Sequence, residues 1–183
     1  MPVQPDKTLW VIDPVHTKIS FTTRYLLLTR ISGWFTEMEG VVYASDADFG
    51  DAQAQLTIYV RSIATGNRER DRHLRSADFF NVKRYPVITF ESTAVVVDGT
   101  FLNMSGILKV KDAVLITQFT ATYTGIALDP QGNTKAGFEL KTSFNRKDLH
   151  LDWNMYFGHS GVLLANEVKV FCDVQLLRLP SSS

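Results

Sequence analysis

Apolar and polar side chains alternate along most of this chain. Residues 54–60 show the pattern clearly, because the apolar side chains Ala54, Leu56, Ile58 and Val60 are separated by polar or aromatic ones. Successive side chains of a strand point to opposite faces, so this alternation predicts strands with two different faces. Helical periodicity is rare. The chain is therefore predicted to be all-β with little helix.

The alternating segments amount to about eight strands, mostly joined by short turns. They are expected at residues 9–12 with 19–28, 34–35 with 41–43, 54–60, 86–96, 101–110, 119–124, 138–145 and 168–177. Asp13-Pro14 interrupts the first of these strands, and Ser32-Gly33 is predicted to turn the chain into the second. Asp98-Gly99 predicts a two-residue hairpin turn.

Sequential antiparallel strands of this number favour closure, because closure removes exposed sheet edges. The prediction is an eight-stranded antiparallel β-barrel, whose interior has room for packed side chains or for one ligand. Within the strand that follows Pro86, Ile88, Phe90, Ser92, Ala94 and Val96 are expected on one side. Residues 65–85 are charged and lack alternation, so they predict a short helix and a connector, and residues 153–164 predict an aromatic loop.

The 183 residues suit one domain, 1–183, with frayed ends at residues 1–7 and 179–183. Lys plus Arg and Asp plus Glu both number 19, so no global field favours nucleic acid or an acidic membrane surface.

Cys172 is the single cysteine, which excludes an intrachain disulfide and indicates a buried structural thiol. No stretch predicts a membrane span or a secretory signal, so a cytoplasmic location is expected unless a signal has been removed.

Several strands carry large apolar groups on one side and Thr or Tyr on the other, a pattern that a barrel with an apolar lumen would accommodate. Aromatic side chains suit such a lining, although they also fill ordinary cores. The candidates for lining the lumen are Phe21, Phe35, Phe79, Phe90, Phe119, Tyr123, Phe144 and Trp153.

The densest motif runs from Arg61 to Ser92. It contains Ser62-Ile63-Ala64-Thr65-Gly66, Arg70-Asp71-Arg72-His73-Leu74-Arg75-Ser76-Ala77-Asp78-Phe79-Phe80 and Tyr85-Pro86-Val87-Ile88-Thr89-Phe90-Glu91-Ser92. This segment resembles the YceI-like family of polyisoprenoid-binding proteins. Shorter pieces at residues 10–17, 33–40, 106–108 and 145–149 extend the resemblance over nearly the whole chain.

The resemblance implies a lipocalin-like barrel whose tunnel takes up an isoprenoid chain, such as a polyprenyl phosphate or the tail of a quinone, often in a homodimer. No other cofactor is expected. Two departures affect the loops: Lys111-Asp112-Ala113-Val114 replaces the family's Gly-x-Thr-x-Pro turn, and Leu149-His150 replaces its Phe-Gly.

Residues 65–80 are expected to form a cover over one end of the barrel, with Leu74, Phe79 and Phe80 as its apolar underside. Two interpretations of its charged residues stay open. Arg70 and Asp71 form an ion pair that pins the cover, or Arg72, His73 or Arg75 faces the tunnel mouth and holds a polar or anionic head group.

Catalysis is the competing hypothesis: a small enzyme acting on a lipid or on a metal-bound substrate in the same barrel. Ser76, His73 and Asp71 are near neighbours, but a short helix sends them in different directions and no nucleophile-elbow motif is present. A metal site would draw on His150, Asp152 and His159, or on His16, without a recognised ligand signature. Surface or mouth polar groups are the favoured interpretation, and a lipid carrier without catalytic residues or metal is the prediction.

Overall fold

The structure is a computed structural model that describes residues 7–26, 28–45, 48–157 and 161–180. Its elements follow the chain in this order: β1 Thr8–Ile12, β2 Lys18–Tyr25, β3 Thr29–Phe35, β4 Met38–Ala44, β5 Gln53–Tyr59, a 3-10 turn Val60–Ser62, β6 Ile63–Ala64, α1 Arg68–Arg75, β7 Val87–Asp98, β8 Phe101–Val110, β9 Ala113–Leu128, β10 Thr134–Asn145, β11 Tyr156–Phe157, β12 Gly161–Val162 and β13 Glu167–Arg178.

Eight strands close into the predicted antiparallel barrel. The ring follows the order β1, β4, β5, β7, β8, β9, β10 and β13, and it closes where β13 pairs with β1 at Trp10 and Arg178. The other half of β13 pairs with β2, which continues into β3 and β6. β1 and β2 therefore lie end to end along β13, as the single interrupted strand predicted from the sequence does.

Ser32 and Gly33 do not form the predicted turn. Both lie inside β3, paired with Thr22 and Phe21, and the chain reverses before Thr29 instead. Gly33 is required by a close approach, since a Cβ at this position would lie 2.4 Å from the Phe21 ring. The glycine that suggested a turn is a packing position for an aromatic ring.

A bulge in β7 reverses the side to which its second half points. The pairing with β8 shifts between Ser92 and Ala94. Ile88, Phe90 and Ser92 share the inward side, but Ala94 and Val96, which were expected on the same side, are exposed. A bulge inserts one residue, so it exchanges the two faces of the strand beyond it.

Two connections differ in detail from the prediction. The residues that join β7 to β8 are Gly99 and Thr100, with Gly99 at φ +60°, because Asp98 still pairs with Phe101. The predicted aromatic loop at residues 153–164 contains a small hairpin of β11 and β12.

Lys7 and Leu179, at the inner limits of the predicted frayed ends, contact other residues of the chain, and residues 1–6 and 181–183 of those ends lie outside the described residues. Lys7 Nζ lies 3.1 Å from Asp51 Oδ2, and the Leu179 N–H donates to the Leu9 carbonyl at 2.9 Å. The Leu179 bond continues the pairing of β13 with β1 by one position, whereas Lys7 makes its contact through its side chain.

Helix α1 is the predicted helix of the cover. The Asn67 side chain caps its first turn by accepting from the Arg70 N–H at 3.0 Å, and Ser76 Oγ closes its last turn by donating to the His73 carbonyl at 2.7 Å. Among the described residues, no helix has the length and apolarity to cross a membrane.

Candidate functional site

A cavity of about 690 Å³ runs through the barrel. Its wall joins two clusters of buried side chains, one around Ile63 and Phe90 and the other around Phe49 and Leu102. The volume lies within the range of about 300–1,000 Å³ that small-molecule sites occupy. The wall is apolar along most of its length, so the cavity suits an elongated apolar ligand.

The cavity opens at the end of the barrel that carries α1. The only exposed residues of its described wall are Tyr25, Asn67 and Glu69, at the end of β2 and the start of α1. Arg70 and His73 lie in the wall beside them. Polar and charged groups thus gather at the mouth, where a polar head group would meet water.

Phe49 packs into the opposite end, called the closed end below. Its side chain is 1% exposed, and its ring contacts those of Trp10, Tyr123 and Phe138 at 5.0–5.8 Å between centroids. Phe49 adopts φ +62°, a strained conformation for a residue with a side chain, which this packing compensates. A single phenylalanine among Asp and Gly residues is the sequence signal that could have identified this position.

Seven of the eight residues predicted to line the lumen lie in the cavity wall: Phe21, Phe35, Phe79, Phe90, Phe119, Phe144 and Trp153. Tyr123 does not, because its ring packs against Phe49 and Phe138 near the closed end. Phe90, Phe119 and Phe144 form a row of rings with centroids 5.2 and 6.0 Å apart. Their roles in ligand binding stay predictions.

Two glycines of the barrel each leave space for an aromatic ring to lie against the wall. A Cβ at Gly106 would lie 2.4 Å from the Phe90 ring, as one at Gly33 would from the Phe21 ring. The ring can therefore lie against the wall instead of projecting across the cavity.

The predicted ion pair of Arg70 with Asp71 does not form, and Thr65 joins the two residues instead. Thr65 donates to Asp71 Oδ1 from its N–H at 2.9 Å and from its hydroxyl at 2.5 Å. Arg70 Nε donates to the same hydroxyl oxygen at 2.8 Å, and Arg70 Nη2 to the Thr65 carbonyl at 2.9 Å. Asp71 is buried and faces Thr65, whereas Arg70 is one of the residues of the cavity wall.

His73 links the cover to the loop that follows β10. Its ring lies edge-on to Phe79 at 5.1 Å and to Trp153 at 4.7 Å, and its Nε2 is 2.9 Å from Asp78 Oδ2. Leu74, Phe79 and Phe80 line the cavity as the predicted underside.

The other candidates for the head group lie away from the cavity. Arg72 is exposed, and Arg75 Nη2 donates to the Ile63 carbonyl at 2.7 Å, so Arg75 ties the cover to β6. Of the five predicted residues, only Arg70 and His73 reach the wall.

Arg146 is a wall residue that received no role from the sequence, although it lies in the Arg-x-Asp piece of the family resemblance. It is 3% exposed, and its guanidinium donates to the carbonyls of Leu151, Trp153 and Ala165 at 2.5–3.1 Å. These bonds fix the loop that carries Trp153, so Arg146 shapes the mouth.

The catalytic and metal alternatives find no assembled site in the described residues. Asp71 binds Thr65, while Ser76 Oγ donates to the His73 carbonyl and not to its ring. His150 lies 2.8 Å from Asp112 and His16 lies 2.9 Å from Asp13. Within the described ranges, no three His, Cys, Asp or Glu side chains gather as a metal site would need, and His159 lies outside those ranges.

Cys172 is a wall residue with an unreactive thiol. Burial, with a smaller contribution from the neighbouring carboxylate of Asp173, raises the pKa of the Cys172 thiol to about 12. The thiol therefore stays protonated, as expected for a structural cysteine.

Comparison with known proteins identifies a matching family and similar proteins. A family model described as YceI-like domain matches residues 10–176. The protein YceI of Escherichia coli O157:H7 is 32% identical over 136 residues, which cover 74% of this chain and 71% of that protein. The UPF0312 protein SA2479 of Staphylococcus aureus strain N315 is 29% identical over 163 residues, with 88% and 93% coverage.

Two solved structures share the fold. BcnA of Burkholderia cenocepacia superimposes with a TM-score of 0.76 at 22% identity, covering 90% of this chain and 98% of that one. A polyisoprenoid binding domain from Saccharophagus degradans, implicated in plant cell wall breakdown, gives a TM-score of 0.71 at 16% identity, with 93% and 98% coverage.

Proposed function

The chain belongs to the YceI-like domain family, and from this premise we propose that it binds and carries a long apolar lipid of isoprenoid type in its barrel. The observation that supports this most is the continuous apolar cavity between the mouth and Phe49. Burial of apolar surface contributes about 25 cal/mol per Å², so an extended tail gains affinity along its whole length without a strong polar contact.

The head group of this lipid is proposed to lie at the mouth, beside Arg70 and His73. In its described contacts, Arg70 donates one hydrogen bond from Nε and one from Nη2. The other N–H groups of its guanidinium can donate to a phosphate or a quinone oxygen. Glu69 lies at the same mouth, and its carboxylate repels a head group that carries a high negative charge. A polyprenyl phosphate and a quinone share the isoprenoid tail, and identification of the bound head group separates them.

A carrier is favoured over an enzyme because the polar residues of the site hold the cover together. Thr65, Asp71 and Ser76 bond to the cover's own backbone or side chains, and none of the three lies in the cavity wall. The name of the Saccharophagus degradans domain adds support for an isoprenoid ligand. The cytoplasmic location expected from the sequence stays a prediction.

We also propose that two copies pair through the outer face of the barrel. Val114 and Ile116 of β9 are 62% and 88% exposed, and Ile116 lies opposite Ile107 of β8. An apolar patch of this kind on the outside of a barrel favours association. Light scattering should show a dimer that Ile116→Lys dissociates, whereas a monomeric parent protein would contradict the pairing.

Native mass spectrometry of the purified protein, followed by organic extraction, tests the bound ligand. The expected result is a mass increment that disappears on extraction and an extract containing an isoprenoid chain. A protein that is empty as purified and that binds no added polyprenyl phosphate or quinone would contradict the proposal.

A further inference from the structure

The β2–β3 hairpin places apolar side chains in water at the mouth of the cavity. Leu28 is 80% exposed, although leucine is among the residue types most often buried, and Tyr25 on the same hairpin is 37% exposed. Arg24 and Arg30 face each other across the two strands next to this tip. The sequence is thus apolar at the tip and basic immediately behind it.

Backbone contacts fix this tip beside the loop that carries Trp153. The Leu26 N–H donates to the Leu163 carbonyl at 2.7 Å, and Tyr25 forms an isolated bridge with Leu164. The Leu163 N–H donates in turn to the carbonyl of Met155, whose side chain is 54% exposed. Tyr25, Leu28 and Met155 therefore lie on neighbouring segments at the mouth, and we name these three residues the rim.

Among the described residues around the rim, four exposed arginines stand against three exposed carboxylates, namely Glu69, Asp152 beside Trp153 and Glu167, whose carbonyl accepts from Thr23. Arg24 and Arg30 are exposed on the hairpin, and Arg68 and Arg72 are exposed on α1. Of the two acidic residues of α1, Asp71 is buried against Thr65, which leaves Glu69 exposed at the mouth. The whole chain has no net charge, so attraction to an anionic surface is local to this end.

We propose that the rim docks on a lipid bilayer that carries anionic head groups, with Tyr25, Leu28 and Met155 entering the interface and Arg30 at the phosphate level. Apolar side chains backed by arginine are the combination that binds such surfaces. Docking presents the mouth to the acyl layer, so an apolar ligand can pass between bilayer and barrel without crossing water. This use of the surface rests on the proposed carrier function, whereas the docking itself does not.

Flotation with lipid vesicles tests the apolar part of the rim. The purified full chain is mixed with vesicles of phosphatidylcholine alone or with added phosphatidylglycerol, and Leu28→Asp is compared with Leu128→Asp. Leu128 is the matched control, because it is 72% exposed and lies at the closed end, opposite Thr134. Leu28→Asp should lower binding to anionic vesicles about tenfold or more, and Leu128→Asp should leave it unchanged.

Charge reversal tests the basic part. Arg30→Glu should lower binding to anionic vesicles at least about fivefold, while Arg178→Glu, an exposed arginine at the closed end, should have little effect. Added salt should weaken the binding of the parent protein. Because both positions are on the surface, neither substitution disturbs the core.

Three outcomes would overturn the docking proposal: no flotation of the parent protein with either vesicle, equal losses from Leu28→Asp and Leu128→Asp, or no effect of Leu28→Asp. The first would favour a protein as the partner of the rim. Mass spectrometry of the lipid bound in the same samples separates membrane docking from lipid carriage. Leu28 is not a wall residue, so Leu28→Asp should retain the bound lipid. Vesicle binding by a protein that carries no lipid would count against the carrier function alone.

Discussion

The His73 ring stands edge-on to the Trp153 indole, with centroids 4.7 Å apart and an interplanar angle of 86°. This contact joins two segments that both line the mouth: α1 of the cover and the loop after β10. Any opening of the mouth between these segments must break it.

Trp153→Ala should therefore loosen the cover. We expect a loss of about 2 kcal/mol in the free energy of unfolding and faster release of bound lipid, since the ring contacts with His73 and Phe79 disappear. Trp34→Ala is the control, because Trp34 is 38% exposed and is not a wall residue. Denaturant unfolding and stopped-flow exchange of a fluorescent lipid measure the two effects, and equal release rates for both variants would contradict the prediction.

Phe144→Asp should abolish lipid retention. The carboxylate would enter an apolar wall without a partner, which raises the cost of placing a lipid tail beside it. Ser143→Asp puts the same charge one residue away on the exposed face of β10 and should retain the lipid. Extraction and mass spectrometry quantify the lipid, with circular dichroism as a check of folding and Phe144→Gln as a neutral variant. Retention by Phe144→Asp would show that the assigned face of β10 is wrong.

Asp71→Ala should cost about 1–3 kcal/mol of stability. The substitution leaves the Thr65 N–H and hydroxyl without their buried acceptor. Asp78→Ala removes an exposed carboxylate from the same cover and should cost less than about 1 kcal/mol. Urea unfolding of both variants checks the difference, and similar losses would show that the Thr65 contacts contribute little.

Acid should weaken the fold through Asp13. Burial opposes the charged form of this carboxyl, but hydrogen bonds from Lys135, His16 and the Val15 N–H outweigh it and lower the Asp13 pKa from 3.8 to about 2. Because the pKa is lower in the folded state, the ionised carboxylate stabilises the fold above about pH 4, and this contribution is lost as the pH falls towards 2.

Lys135→Met should raise the Asp13 pKa and shift acid unfolding to higher pH, because the 2.7 Å ion pair is removed. Lys141→Met, on the exposed face of the same strand, is the control. Unfolding followed by tryptophan fluorescence between about pH 5 and 2 measures the shift, and identical acid midpoints for the two variants would refute the assignment.

The Cys172 thiol should resist alkylation in the folded protein. A pKa of about 12 instead of 9.0 leaves about a thousandfold less thiolate at neutral pH. Labelling with iodoacetamide should therefore be slow in buffer and fast in denaturant. Rapid labelling under native conditions would mean that the thiol reaches water.

Much of this architecture could be predicted from local patterns of apolar and polar residues. The alternation at residues 54–60 and 138–144 depends on each strand having one face in the barrel, so it predicted the strands and most of the aromatic wall. Two predictions, the turn at Gly33 and the side of β7 on which Ala94 and Val96 lie, were wrong because both depend on how neighbouring strands pack and pair. Gly33 packs against the Phe21 ring instead of making a turn, and a bulge after Ser92 exposes Ala94 and Val96.

The all-β class, the eight-stranded barrel, the helical cover and the family could all be predicted, because they follow from residue type and spacing along the chain. Four other features became visible in the folded chain: Arg70 and Asp71 meet at Thr65, Phe49 packs into the closed end, Arg146 holds the mouth loop and the rim lies beside the mouth. These contacts join residues whose meeting depends on strand register and loop path. A local period fixes which face a side chain occupies and leaves its partner across the barrel undetermined.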